Sequence, residues 1–143
     1  MKKLVFAVLV MLITSWGFAA TATVNGITWT YSVSNGKACI SGASNAGGAI
    51  TVPEILGGYP VTSIEEEAFY GCSKLTSVTI PEGVTSIGGS AFPSLYSLKR
   101  VCIEDVGAWV RIQFGGNEAN PLEWASEGLY LNGEKITTVI IPE

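Results

Sequence analysis

The side chains best suited to hold a metal or to supply a thiolate or carboxylate are three cysteines, Cys39, Cys72 and Cys102, and twelve carboxylates, with no histidine in 143 residues. Without imidazole neither a Ser-His-Asp nor a Cys-His arrangement can form, and no cysteine has its commonest activating base. The cysteines show no CxxC spacing, and a structural zinc site wants four N or S ligands. Metal and cofactor are therefore both expected to be absent. Glu65, Glu66, Glu67, Glu104 and Asp105 could in principle supply the carboxylate pair of a glycoside hydrolase. They sit instead where a short helical turn is expected to begin, where carboxylates meet the positive end of the helix dipole, or on solvated faces. Glu104 and Asp105 lack the alternating Asp/Asn/Gly spacing of a calcium loop, and no strand-GxGxxG-helix unit for phosphate can be drawn. The residues predict no enzyme.

The elements that would position these residues are set by a 23-residue repeat. Residues 61 to 80 (VTSIEEEAFYGCSKLTSVTI) laid over 84 to 103 (VTSIGGSAFPSLYSLKRVCI) give nine identities in twenty positions, seven of them apolar. Val61, Ile64, Ala68, Phe69, Leu75, Val78 and Ile80 recur as Val84, Ile87, Ala91, Phe92, Leu98, Val101 and Ile103, while the residues between them drift. Each apolar-x-apolar-Pro segment reads as a strand stopped by proline, which has no ladder donor. Strands joined by a return stretch must stack in parallel. With Val78 and Ile80 inward, Ser77 and Thr79 point outward, as do Arg100 and Cys102 one coil later. Extending the register adds Thr51 and, further on, Thr138 and Ile140. The same register puts Cys72 opposite Leu95 on the return segment and Cys102 opposite Thr79 on the strand, so the two cannot pair. Cys72 is expected to be a small buried hydrophobe and Cys102 a free surface thiol; the partner of Cys39 stays open.

Around the repeat, the chain divides into unlike parts. Residues 1–22 read as a secretory leader: Lys2 and Lys3, an apolar run from Leu4 to Ile13, then Gly17, Ala19 and Ala20, with cleavage after Ala19 or Ala22. The run is too short for a stable membrane span, which needs about 20 residues. Removing Lys2 and Lys3 leaves six basic residues against twelve acidic ones. That balance, with no Lys/Arg stripe, excludes nucleic acid as a partner. Residues 23–49 form an N-terminal cap and linker, with a hairpin from Ile27 to Ile40 turning at Asn35-Gly36 and a flexible Gly/Ser/Ala connection over 41–49. Repeats occupy 50–103, Ile55 to Tyr59 being a five-residue insertion. Residues 104–137 break the period, with helical turns near Asp105–Ile112 and after the Asn120-Pro121 cap, then a second Asn-Gly hairpin. Residues 138–143 restart a strand that is cut off. Of the aromatics outside the repeat, Trp29, Tyr59, Trp109 and Trp124, most are expected in the core.

The pattern Leu75-x-x-Val78-x-Ile80-Pro81-x-x-Val84-x-x-Ile87-x-x-x-Ala91-Phe92 resembles the leucine-rich repeats of BspA-like surface proteins, over about residues 50 to 103. Phe69-Tyr70-Gly71-Cys72 is similar to the family's return segment, and Phe92-Pro93-Ser94-Leu95 departs from it, with Leu95 able to take the buried place of Cys72. The resemblance implies an α/β leucine-rich repeat solenoid dominated by strands, with a parallel sheet on the concave face, short helical turns on the return side and an N-terminal hairpin cap. It also implies an exported, non-enzymatic module, secreted or at the cell surface, that binds protein or glycan; the strand register supplies the expected contacts, Thr51, Ser77, Thr79, Arg100, Cys102, Thr138 and Ile140. The alternatives are a structural spacer of a larger surface protein and an accessory domain of a carbohydrate-active protein. An open C-terminal coil would leave a sheet edge through which the chain could self-associate.

Overall fold

The computed structural model describes residues 19–137. It begins with an antiparallel meander of β1 (Ala20–Val24), β2 (Ile27–Ser34) and β3 (Lys37–Ser44). Its two turns are Asn25-Gly26 and Asn35-Gly36, each with positive φ at both residues, the geometry two-residue hairpins require. β2 alternates, burying Ile27, Trp29 and Tyr31 while the residues between them face outward. The expected hairpin is thus present with a further strand before it. The expected boundary after residue 22 falls inside β1, whose residues belong to the cap. Residues 1–18 of the expected leader lie outside the described residues. The flexible connection over 41–49 needs correction: β3 runs to Ser44, and only three residues separate it from β4 (Gly48–Thr51). Gly42 packs beside Thr30, and Ala43 and Ala46 are buried.

β4, β7 (Leu75–Ile80), β9 (Arg100–Ile103) and β11 (Gly128–Leu131) then stack in parallel. With β12 (Glu134–Lys135) antiparallel to β11, they make a five-stranded sheet. The stretch between successive strands is a second parallel ladder. β6 (Tyr59–Ile64), β8 (Ser86–Ile87) and β10 (Gln113–Phe114) pair with one another and, through β6, with β3. β5 (Ile55–Leu56), the predicted insertion, folds back on β6. These strands complete the seven-stranded sheet. The expected helical turns on the return side are replaced here: Glu67, at the expected helix start, has a left-handed φ of 58°. Cross-coil bonds from Glu67 N to Ser90 O at 3.2 Å and from Phe69 N to Ala91 O at 3.0 Å engage backbone groups a helix would have used.

The core lies between the two ladders. Val78, Ile80, Val101 and Ile103 enter it from one sheet, and Val61, Ile64, Val84 and Ile87 from the other. At the corner between them Phe69 and Phe92 stack with centroids 4.6 Å apart, and Trp29 of the cap meets Phe69 edge-on at 6.1 Å. The cap therefore closes the end of the aromatic column that the repeats build. Fully burying one such ring contributes about 1.5–3 kcal/mol. Leu95 is buried in the place of Cys72, as expected. Its neighbour Ser94 takes the left-handed conformation that Gly71 takes one coil earlier.

Residues 104–137 contain the expected short helices and hairpin: α1 (Val106–Val110) capped by Asp105, a 3-10 turn at Pro121–Glu123 capped by Asn120, and a hairpin at Asn132-Gly133. They do not leave the solenoid, however. Gln113 pairs with Ser86 and Tyr130 with Cys102, so both ladders continue with offsets of 27 and 28 residues in place of 23. The added residues form α1, which buries Trp109 against Phe114 at 5.5 Å. Glycine lets the backbones stay close, since a Cβ on Gly115 would lie 2.8 Å from Gly89 N and one on Gly88 2.6 Å from Glu66 N. The expected strand restart at 138–143 lies outside the described residues.

Candidate interaction face

The outward side of the five-stranded sheet carries two rows of side chains fixed by the register. One runs Ala49, Ser77, Arg100, Gly128, and the other Thr51, Thr79, Cys102, Tyr130, Lys135. Inward positions between them are held by the core, so these outward positions can vary without disturbing it. Thr51, Ser77, Thr79, Arg100 and Cys102 are therefore brought onto one surface, as the repeat register predicts. Thr138 and Ile140 lie outside the described residues. Ser77 Oγ and Cys102 Sγ are 3.6 Å apart.

Arg100 is the centre of a polar cluster. Its Nε donates to Glu127 Oε2, its guanidinium sits 5.1 Å from the centroid of the Tyr130 ring, and the Tyr130 hydroxyl donates to the same carboxylate oxygen at 3.4 Å. The hydrogen bond from Arg100 holds the Glu127 carboxyl below the usual carboxylate range, and the reciprocal bond raises the guanidinium further. Three groups, one on β9, one on β11 and one on the residue leading into β11, are thereby pre-positioned at the surface. Glu127 and Tyr130 escaped the sequence reading because their coil is five residues longer than the repeat. The signal was Leu129-x-Leu131, which copies Val101-x-Ile103 at the longer spacing.

The cysteines offer no catalytic centre. All three are free thiols, with Cys72 buried and Cys39 and Cys102 half-buried. Burial pushes the Cys39 and Cys72 thiols up, away from the thiolate form that attacks or binds metal. Cys72 donates to Ala43 O at 3.4 Å and joins cap to coil. Among the described residues no three of Cys, Asp and Glu converge on a metal-sized site, and no helix is long and apolar enough to cross a membrane. Trp29 and Trp109 are core residues, Trp124 is half-buried and Tyr59 is exposed. Glu65, Glu66, Glu67, Glu104 and Asp105 are all exposed.

Residues 49–110 match the family described as BspA type leucine rich repeat region (6 copies). This segment is a BspA-type leucine-rich repeat. The match covers β4 to β9 and ends in α1, and the ladder itself continues beyond it through β10 and β11. Two solved structures are similar. One is a leucine rich cell surface protein from Faecalibacterium prausnitzii A2-165, at 35% identity over 60% of this chain, with a TM-score of 0.49. The chain spans 24% of that protein's length. The other is a leucine-rich repeat protein from Bacteroides capillosus ATCC 29799, at 26% identity over 79% of this chain and 99% of that one, with a TM-score of 0.47. Among curated proteins, none matches.

Proposed function

We propose that this BspA-type chain is an exported recognition module that works at the cell surface and takes a protein ligand across the outward face of its five-stranded sheet. The observation that carries the reading is the Arg100–Glu127–Tyr130 cluster standing on a flat ladder of small residues. Arg and Tyr are the residue types that dominate protein interfaces energetically. Thr51, Ser77 and Thr79 leave the surrounding surface low enough for a partner to approach. Export is supported by the leader-like start from Lys2 to Ala20. The lack of histidine and the raised thiols supply no catalytic machinery for acyl transfer, which favours binding over turnover.

The test is binding of the full chain to a panel of purified extracellular-matrix and epithelial surface proteins, measured by surface plasmon resonance. A saturable partner is expected, with affinity at least tenfold weaker for Arg100→Glu and for Tyr130→Ala. Absence of any partner would leave the chain as a spacer within a larger surface protein, and binding by both variants as tight as the parent's would move the contact off the sheet face.

A further inference from the structure

We infer that the chain carries a second recognition surface, separate from the sheet face, which binds an oligosaccharide along the turns that lead into the five-stranded sheet. Tyr70 and Tyr96 are the most exposed large apolar side chains among the described residues, at 76% and 80%. Both lie on these turns, in successive coils. Tyr96 and Trp124 each stand four residues ahead of a register partner, Arg100 and Gly128, and so occupy the same place in neighbouring coils. Their rings meet edge-on with centroids 5.1 Å apart. The equivalent place one coil earlier is Ser73, so the fold itself does not require an aromatic there. Beside Tyr70 opens a groove of about 690 Å³ between the end of β3 and the turn before β7. Ser41, Ser44, Asn45, Glu67 and Lys74 supply its hydroxyl, amide and charged groups.

The chemistry of this row selects the ligand. Polar and small residues surround the rings: Gly71, Ser73, Ser94, Ser97 and Glu123 are all exposed. Rings repeated coil by coil among hydroxyls, without an ion pair fixed beside them as Arg100–Glu127 is beside Tyr130, suit a ligand of repeating units better than a folded protein. A sugar ring has the complementary form, with a C–H face to lie on an aromatic ring and a rim of hydroxyls to exchange hydrogen bonds with Ser, Asn, Glu and Lys. The groove beside Tyr70 and the Tyr96–Trp124 pair lie on the same edge of successive coils. The inferred ligand is a linear chain of several sugar units running along this edge from the groove to the pair, whereas a monosaccharide would occupy only one of them.

The experiment titrates the full chain with cellohexaose, chitohexaose and maltohexaose, by calorimetry and by tryptophan fluorescence. At least one hexasaccharide is expected to bind with a change in tryptophan emission. Tyr70→Ala and Tyr96→Ala should each weaken binding about tenfold, consistent with the loss of one stacking contact. Tyr96→Ser, which installs the residue found at the equivalent place one coil earlier, guards against a folding artefact and should weaken binding equally. Arg100→Glu should leave it unchanged. The inference is overturned if none of the three sugars binds, or if the tyrosine variants bind as the parent does. Loss of binding in Arg100→Glu with the tyrosine variants unaffected would also overturn it, by moving the sugar to the sheet face.

Discussion

The coil from β7 to β9 and the coil from β9 to β11 are adjacent turns of the same two ladders, built by different means. The first takes 23 residues per step and fills its corner with Phe92, whose ring stacks on Phe69 of the coil before it. The second takes 28, and its corner turn closes as the others do: Ala119 N bonds to Gly116 O just as Ala68 bonds to Glu65 and Ala91 to Gly88. Left-handed residues recur just before these alanines, at Glu67, Ser90 and Glu118. Asn120 then stands where the phenylalanines stand, and its Oδ1 accepts from Leu122 N at 3.0 Å. The solenoid is thus propagated by backbone pairing and corner geometry. The aromatic column is a filling that a coil can give up when a capped turn takes its place.

The largest expected difference between the two coils is in that filling. Phe92→Ala should lower unfolding free energy by about 3–5 kcal/mol, since it empties a fully buried ring site. Asn120→Ala should cost about 1 kcal/mol, the loss of one cap. Urea unfolding monitored by circular dichroism measures both, and equal losses would break the comparison. Next in size, Gly88→Ala and Gly115→Ala should each cost about 1–3 kcal/mol, because the added methyl meets backbone atoms that cannot step aside. Similar values at the two sites would show that close coil stacking matters equally in the regular and the lengthened coil. The smallest effect is a gain. Ser94→Gly should stabilise the chain by about 0.5 kcal/mol, the relief of a left-handed conformation that Gly71 adopts freely less the backbone entropy that glycine loses.

Legibility in the sequence follows the same division. Val61, Ile64, Leu75, Val78 and their counterparts are readable because a buried apolar position tolerates few residue types, and all are in the core. Their register alone placed Ser77, Thr79, Arg100 and Cys102 outward. The second ladder was hidden because Val61-Thr62-Ser63-Ile64 is too short to show alternation, and Glu65 to Glu67 mimic a helix start. The Ser41–Ser44 end of β3 was hidden because its small residues are chosen by close packing on β2, and their composition is that of a linker. Glu127 and Tyr130 went unread because α1 displaces their coil by five residues, and a fixed period cannot follow an inserted turn. Tyr70 and Tyr96 fall at drifting repeat positions, so only their exposure in the fold marks them.

The Asn-Gly turns carry a consequence for the ageing of the protein. Asn25-Gly26, Asn35-Gly36 and Asn132-Gly133 all turn hairpins with positive φ at both residues. Glycine offers little steric hindrance to attack by its backbone nitrogen on the preceding asparagine side chain, a reaction that expels ammonia and leaves a succinimide. Hydrolysis of that ring gives aspartate or isoaspartate, the latter adding one carbon to the main chain within a two-residue turn. Chemical wear should therefore accumulate as negative charge and loosened turns in the cap and in the hairpin after β11. The coils from β4 to β9 contain no such pair and would outlast both.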